Sequence, residues 1–184
     1  MELSKKIEIY EWASRQMFSI LHPNKGFTPN PFGQYGIDSA VYMGGKLFSV
    51  EEWKFNNDSY QRLDAMDKDY LIEKKKYDEL IMRSRTINTK RKSPVFAVYR
   101  RFFSDAELVL PVNLITTDLS KYYKSEVCEI NQFTSKKEHQ KGYYIPLYAV
   151  DDNGDQMWIV NKYNSFQKKM YQMVLEERNK RLEE

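Results

Sequence analysis

Tyr35-Gly36-Ile37-Asp38-Ser39-Ala40-Val41-Tyr42-Met43-Gly44-Gly45-Lys46-Leu47-Phe48-Ser49-Val50-Glu51-Glu52-Trp53-Lys54 carries more information than any other segment of the chain. A glycine pair stands between two apolar runs, the signature of a tight hairpin. The expected strands cover residues 35–43 and 46–55. Side chains alternate along a strand, so Phe48, Val50, Glu52 and Lys54 are expected on one face. A three-residue loop centred on Gly45 sets Asp38 opposite Glu52. A two-residue turn sets Asp38 opposite Glu51 instead, and a bulge is then needed to bring Asp38 and Glu52 together.

Before this hairpin, Ile7, Tyr10, Ser14, Met17 and Leu21 recur at helical spacing and predict a helix over residues 5–21, with Ser4 as N-cap and His22-Pro23 as its end. Residues 22–34 hold Pro23, Pro29, Pro31, Gly26 and Gly33 and read as loop. After the hairpin, residues 56–69 are polar and read as loop. Residues 70–84 read as helix, with Tyr70, Leu71, Tyr77, Leu80 and Ile81 on one side. Pro94 opens a third strand, Val95 to Phe103, and Glu107 to Val112 form a fourth. Residues 113–141 are mixed and polar. Gly142 to Val150 and Met157 to Val160 read as strands around an Asp151–Asp155 turn, and residues 164–182 as an amphipathic helix. A sheet with helices packed on it follows from this order.

Composition agrees with one domain. The chain has 184 residues, of which 41% are hydrophobic, 15% aromatic and 30% charged, enough apolar mass for a core under a hydrophilic surface. No apolar run approaches the roughly 20 residues of a membrane span. The N-terminus lacks the apolar stretch of a secretory signal. Cys128 is the single cysteine, which excludes an internal disulfide framework and a Cys-based zinc site and makes a cytoplasmic setting the expectation. Net charge is only +3, but basic residues cluster at Lys74-Lys75-Lys76, Lys90-Arg91-Lys92, Arg100-Arg101 and Lys136-Lys137. Such clusters neutralise phosphates or form solvated helix faces and loop tips.

The chemistry lies in the hairpin. With Asp38 beside Glu52, two carboxylates and the Lys54 ammonium meet at its open end. Adjacent carboxylates repel unless a proton or a cation sits between them, and a hard divalent cation prefers carboxylate oxygens. The Trp53 backbone carbonyl offers a further oxygen. Lys54 would then orient a water at the metal or stabilise charge developing on a phosphate, and attack of metal-activated water on a phosphodiester is the natural reaction.

Asp38, a hairpin's length of chain and then Glu52-Trp53-Lys54 resemble the PD-(D/E)XK nuclease superfamily, which includes restriction endonucleases, Holliday-junction resolvases and recombination exonucleases. The resemblance covers roughly residues 5–103. It leaves 104–184 as additional strands and a C-terminal helix of the same domain. It implies a restriction-endonuclease-like α/β core: a helix, three strands, a helix and another strand, with a mixed central sheet flanked by helices. It also implies that Asp38 and Glu52 bind Mg²⁺ or Mn²⁺, that Lys54 is the catalytic lysine and that DNA is the substrate. Ile37 stands where the family has a proline, a position that varies within it. Many members carry a glutamate on the first helix facing the site. Glu11 and Glu8 are the candidates, and Glu11 is favoured because it precedes Ser14, Phe18 and Leu21 at helical spacing. Many also place a polar or basic residue on the helix after the lysine strand, here Glu73, Lys74 or Lys76, with Lys74 and Lys76 expected against DNA. Many are dimers, so a homodimer is compatible, although no dimerisation motif is present. The compact size suits a phage or mobile-element protein.

Other chemistries find less support. There is no Gly-rich phosphate loop. His22 and His139 are the only histidines and lie far apart in sequence, and Cys128 has no histidine near it in sequence. The Asp151–Asp155 run lacks the downstream glutamate of a calcium loop and reads as a hairpin turn. Tyr122-Tyr123 and Tyr143-Tyr144 stack on bases only if exposed. Two alternatives to a nuclease remain. One is a nucleic-acid-binding module with a nuclease-like fold and no turnover. The other is an interaction protein whose hairpin charges are structural.

Overall fold

The computed structural model describes residues 2–33, 36–56, 70–103, 108–114, 123–128, 138–145, 161–162 and 164–184. The expected 56–69 loop beyond Asn56, the Lys136-Lys137 cluster, the Asp151–Asp155 turn and the Met157–Val160 strand lie outside these residues.

Helix α1 (Leu3–Leu21) is followed by β1 (Lys25–Pro29), β2 (Ser39–Met43) and β3 (Lys46–Asn56). Then come β4 (Tyr70–Glu73), α2 (Lys74–Asn88), β5 (Phe96–Phe103) and β6 (Leu108–Asn113). β7 (Tyr123–Cys128), β8 (Glu138–Ile145), β9 (Asn161–Lys162) and α3 (Ser165–Glu183) complete the described elements. The fold is α/β. A six-stranded mixed sheet runs in the order β1-β2-β3-β5-β6-β9, and a second sheet runs β4-β8-β7. Within the larger sheet β3 and β5 are parallel, and every other neighbouring pair is antiparallel. The parallel pair is joined through β4 and α2, the long crossover that parallel strands require.

Three features differ from the sequence expectation. First, residues 25–29 form an edge strand paired with β2 where loop was expected. An edge tolerates Gly26, and it tolerates Pro29 at its last position because the missing N–H belongs to a strand end. Second, Tyr70 to Glu73 are a strand, and the helix starts only at Lys74 and runs on to Asn88. Third, the N-cap of α1 is Glu2, whose side chain makes no capping bond, and Ser4 lies inside the helix. The C-terminal helix is the better capped. Asn164 Oδ1 accepts from Gln167 N at 2.8 Å, and Gln167 Oε1 accepts from Asn164 N at 3.0 Å, a reciprocal capping box. Gln167 Nε2 also donates to the Ile20 carbonyl, tying α3 to the end of α1.

The two faces of β3 have different tasks. On one face Trp53 packs with Ala13, Met17 and Phe18 of α1, Val41, Phe102, and Tyr171 and Leu175 of α3. Its ring stacks on Phe18 at 4.6 Å and meets Phe27 edge-on at 5.2 Å. Beneath it Glu51, 1% exposed, lies in a closed polar network. It accepts from Ser49 Oγ (2.7 Å), Trp53 Nε1 (2.7 Å), Arg100 Nε (2.8 Å) and Arg100 NH2 (3.1 Å). Arg100 therefore takes neither role weighed for the Arg100-Arg101 cluster, phosphate neutralisation or a solvated face, because its guanidinium is buried and engaged with Glu51. The other face of β3 carries Glu52 and Lys54 and is covered in part by α2. There Leu80 and Ser84 are buried, and Ser84 Oγ donates to the carbonyl of Val95, the residue before β5.

Candidate metal and phosphate site

Gly44 and Gly45 sit at φ 56° and 73°, a two-residue turn with both residues left-handed. Met43 pairs with Lys46 and Tyr42 with Leu47. The register then shifts, and Val41 pairs with Ser49, Ala40 with Val50 and Ser39 with Glu51. Phe48 is the extra residue of the bulge. One more step along the same register brings Asp38 opposite Glu52. The hairpin thus takes the second of the two routes open to the sequence, a tight turn corrected by a bulge.

Asp38 lies just before β2 and is fastened across to β3, where its Oδ2 accepts from the Trp53 backbone N–H at 2.7 Å. Glu52, 1% exposed, lies between two ammonium groups. Lys54 Nζ is 3.0 Å from Oε1, and Lys76 Nζ is 3.3 Å from Oε2. Lys76 reaches in from the first turn of α2 and donates also to the Gly36 carbonyl at 3.1 Å. Two carboxylates and two ammoniums therefore share one patch of the sheet face. Burial, and then the neighbouring Glu52 charge, push the Asp38 carboxyl up to about 7, against the opposing pull of Lys54, the Trp53 N–H and Lys76. Burial draws the Lys54 ammonium down, but Glu52, Tyr99 and Asp38 together outweigh it and hold the amine above its ordinary value. Lys54 is thus a fixed cation at neutral pH. The two acids still burden each other, although the amines already offset part of their charge.

Asp38, Glu52, Lys54 and Lys76 come together, and Trp53 contributes its backbone N–H beside them. Glu11 does not join them. It lies on α1, which packs on the Trp53 face, and its Oε2 takes Arg15 NH2 at 3.0 Å. Glu8 is on the same helix and borders a separate groove with Lys5, Trp12 and Arg181. The preference for Glu11 fails because α1 covers the opposite side of the sheet. The Lys74 ammonium is paired with Asp78 one turn along α2 and does not reach Glu52. Tyr99 escaped the sequence reading, and Arg101 entered it only as half of the Arg100-Arg101 cluster. They stand in parallel register with Glu52 and Lys54 and share their face. Alternation along Val95–Phe103 separates Arg101 from Arg100, but only the parallel pairing reveals their neighbours.

Among the described residues no three His, Cys, Asp or Glu side chains converge, so any cation here would rest on two carboxylates and backbone oxygen. No described helix is long and apolar enough to cross a membrane. No family model matches the chain, and no curated protein or solved structure is significantly similar to it.

Proposed function

We propose that this chain is a divalent-metal-dependent nuclease with a restriction-endonuclease-like core, hydrolysing phosphodiester bonds of DNA. The observation that carries the reading is the grouping of Asp38 and Glu52 on one sheet face with the Lys54 ammonium beside them. The order α1, β1, β2, β3, α2, β5 adds support: a helix, three strands, a helix and a strand, with β4 inserted before α2.

The donor set suits Mg²⁺ or Mn²⁺. Asp38, Glu52 and the Trp53 carbonyl are hard oxygen donors, and burial together with the neighbouring Glu52 charge makes the ionised Asp38 carboxyl costly in the absence of a further cation. When bound, the cation supplies the Lewis acidity that activates water and polarises a phosphate oxygen. The chain's own residues do the rest. Lys54, held as an ammonium, is a poor general base. Its part is to donate hydrogen bonds to the attacked phosphate as negative charge builds on it. Lys76, anchored by the Gly36 carbonyl, presents a second cation from α2 to the same phosphate. The bond from the water oxygen to phosphorus forms as the bond to the departing sugar oxygen breaks, and a proton passes to that oxygen.

The test is cleavage of linear, single-stranded and branched DNA by purified protein with Mg²⁺ or Mn²⁺. Activity is expected with metal and lost with a chelator. Absence of cleavage on all three substrates overturns the reading. A second reading draws on the pairing of Glu52 with both Lys54 and Lys76, which lets the cluster stand without metal. It makes the protein a DNA-binding module without turnover, and predicts salt-sensitive binding unchanged by Asp38→Asn.

A further inference from the structure

The loop that leads to Asp38 presents an aromatic ring that the core does not use. Phe32 is 39% exposed. The loop around it is closed by backbone bonds: Asn30 N to the Asp38 carbonyl (2.9 Å), Gly33 N to the Asn30 carbonyl (3.1 Å) and Gly36 N to the Gly33 carbonyl (3.1 Å). Phe32 rests on Gly36 so closely that a Cβ there would lie 3.2 Å from the Phe32 Cβ. Gly36 is the residue whose carbonyl receives Lys76. The Arg83 guanidinium lies over the Phe32 ring, 4.6 Å from its centre, with 38% of the arginine side chain exposed. Lys76 and Arg83 are seven residues apart and share a face of α2, on the order of 10 Å along its axis. A continuous path of contacts therefore runs Glu52, Lys76, Gly36, Phe32, Arg83, from the acid pair to an aromatic ring flanked by a cation.

An exposed ring beside cations is what a strand with unpaired bases recognises: phosphates pair with the amines, and a base lies on the ring. A duplex offers phosphates but keeps its bases stacked inside. We infer that Phe32, backed by Arg83, is a stacking platform for an unpaired base of DNA whose backbone lies along Lys76, so that the site prefers single-stranded or frayed DNA over intact duplex. This inference deepens the nuclease reading and rests on it for the placement of the phosphate.

The test measures binding apart from cleavage. Anisotropy titrations in chelator compare an oligothymidylate with a duplex of equal length, at one salt concentration, on the wild-type chain, Phe32→Ala, Phe32→Leu and Phe32→Tyr. The expected loss for Phe32→Ala is about five- to tenfold on the single strand, the lower end of base–aromatic stacking because the ring is partly covered. Duplex affinity is expected to change less than about twofold, since no base is available to stack. Phe32→Leu keeps the apolar contact with Gly36 but has no π face, and is expected to follow Phe32→Ala. Phe32→Tyr is expected to bind like wild type. The inference is overturned if wild-type protein does not bind the single strand, if single-strand and duplex affinity fall together, or if Phe32→Leu keeps full single-strand affinity. Metal-dependent cleavage by the wild-type chain is scored separately. Cleavage without a Phe32 effect removes only the platform, and a Phe32 effect without cleavage removes only the nuclease.

Discussion

Replacing Arg100 by leucine tests the foundation on which Glu52 and Lys54 stand. Glu51 and Arg100 are 1% and 3% exposed, and two charge-assisted bonds of 2.8 and 3.1 Å join them. The Arg100 NH1 group also approaches His22 Nε2 at 3.3 Å, so one guanidinium links the end of α1 to β3 and β5. In Arg100→Leu the Glu51 carboxylate keeps Ser49 and Trp53 as donors but loses the one ion-pair partner it has among the described residues. Leaving one member of a buried pair uncompensated costs about 3–5 kcal/mol. At roughly 2–4 °C per kcal/mol for a chain of this size, the melting temperature should fall by about 6–20 °C. Thermal melts of wild type, Arg100→Leu, Glu51→Leu and the double variant measure both the cost and the coupling. The double variant should lose clearly less than the sum of the single losses, because each single change strands the other charge. A fall of under about 3 °C for Arg100→Leu, or strict additivity in the cycle, refutes the reasoning.

The site variants should behave in the opposite way. Asp38→Asn, Glu52→Gln and Lys54→Ala are each expected to abolish cleavage, by at least about 10²–10³-fold for the lysine. Melting temperatures should stay close to wild type for the two isosteric changes, with a smaller loss than Arg100→Leu for Lys54→Ala, because Lys76 still pairs with Glu52. A variant that cleaves normally removes that residue from the mechanism. His22 supplies a pH signature. Burial first, then Arg100 and Lys25, lower its folded-state value to about 3 from an ordinary 6.5. The unfolded chain therefore takes up the proton first, and this contribution is intact above 6.5 and lost as pH falls toward 3. Relative to His22→Gln, wild-type stability should drop between pH 6.5 and 4.5 in urea titrations, and parallel curves would contradict the burial of a neutral ring. Gly45, at φ 73°, should not accept a side chain freely. Gly45→Ala is expected to cost about 1–2 kcal/mol, read from the same titrations, and no cost would deny the left-handed turn.

How much of this was legible in the sequence depended on the range of the deciding interaction. The glycine pair and the apolar runs beside it are local, and so the hairpin could be read. The register was not local. Gly44-Gly45 alone would have set Asp38 against Glu51, and the Phe48 bulge that corrects it carries no signal in composition. Tyr70-Leu71-Ile72 is too short an apolar run to tell strand from helix, and its strand identity comes from β8, some seventy residues later. β1 was hidden because its glycine and proline suit a loop and are tolerated only at an edge. Within the site, Glu52 and Glu51 are neighbours of the same type. Alternation places them on opposite faces, but only Arg100, 49 residues away, shows which one belongs to the interior network. Glu11 was misjudged for a related reason: helical spacing shows which residues share a face, not which side of the sheet that face covers. Lys76 became distinct from Lys74 and Lys75 only once α2 was seen to begin at Lys74.

The most direct measurement of the central claim is a calorimetric titration of Mn²⁺ into the wild-type protein and into Asp38→Asn. The account predicts one saturable site in the wild-type chain, with affinity at least about tenfold weaker when the carboxylate is neutralised, because a hard dication needs that charged oxygen donor. Equal heats from both proteins, or none from either, would mean that Asp38 and Glu52 are held by Lys54 and Lys76 alone and that no metal works there.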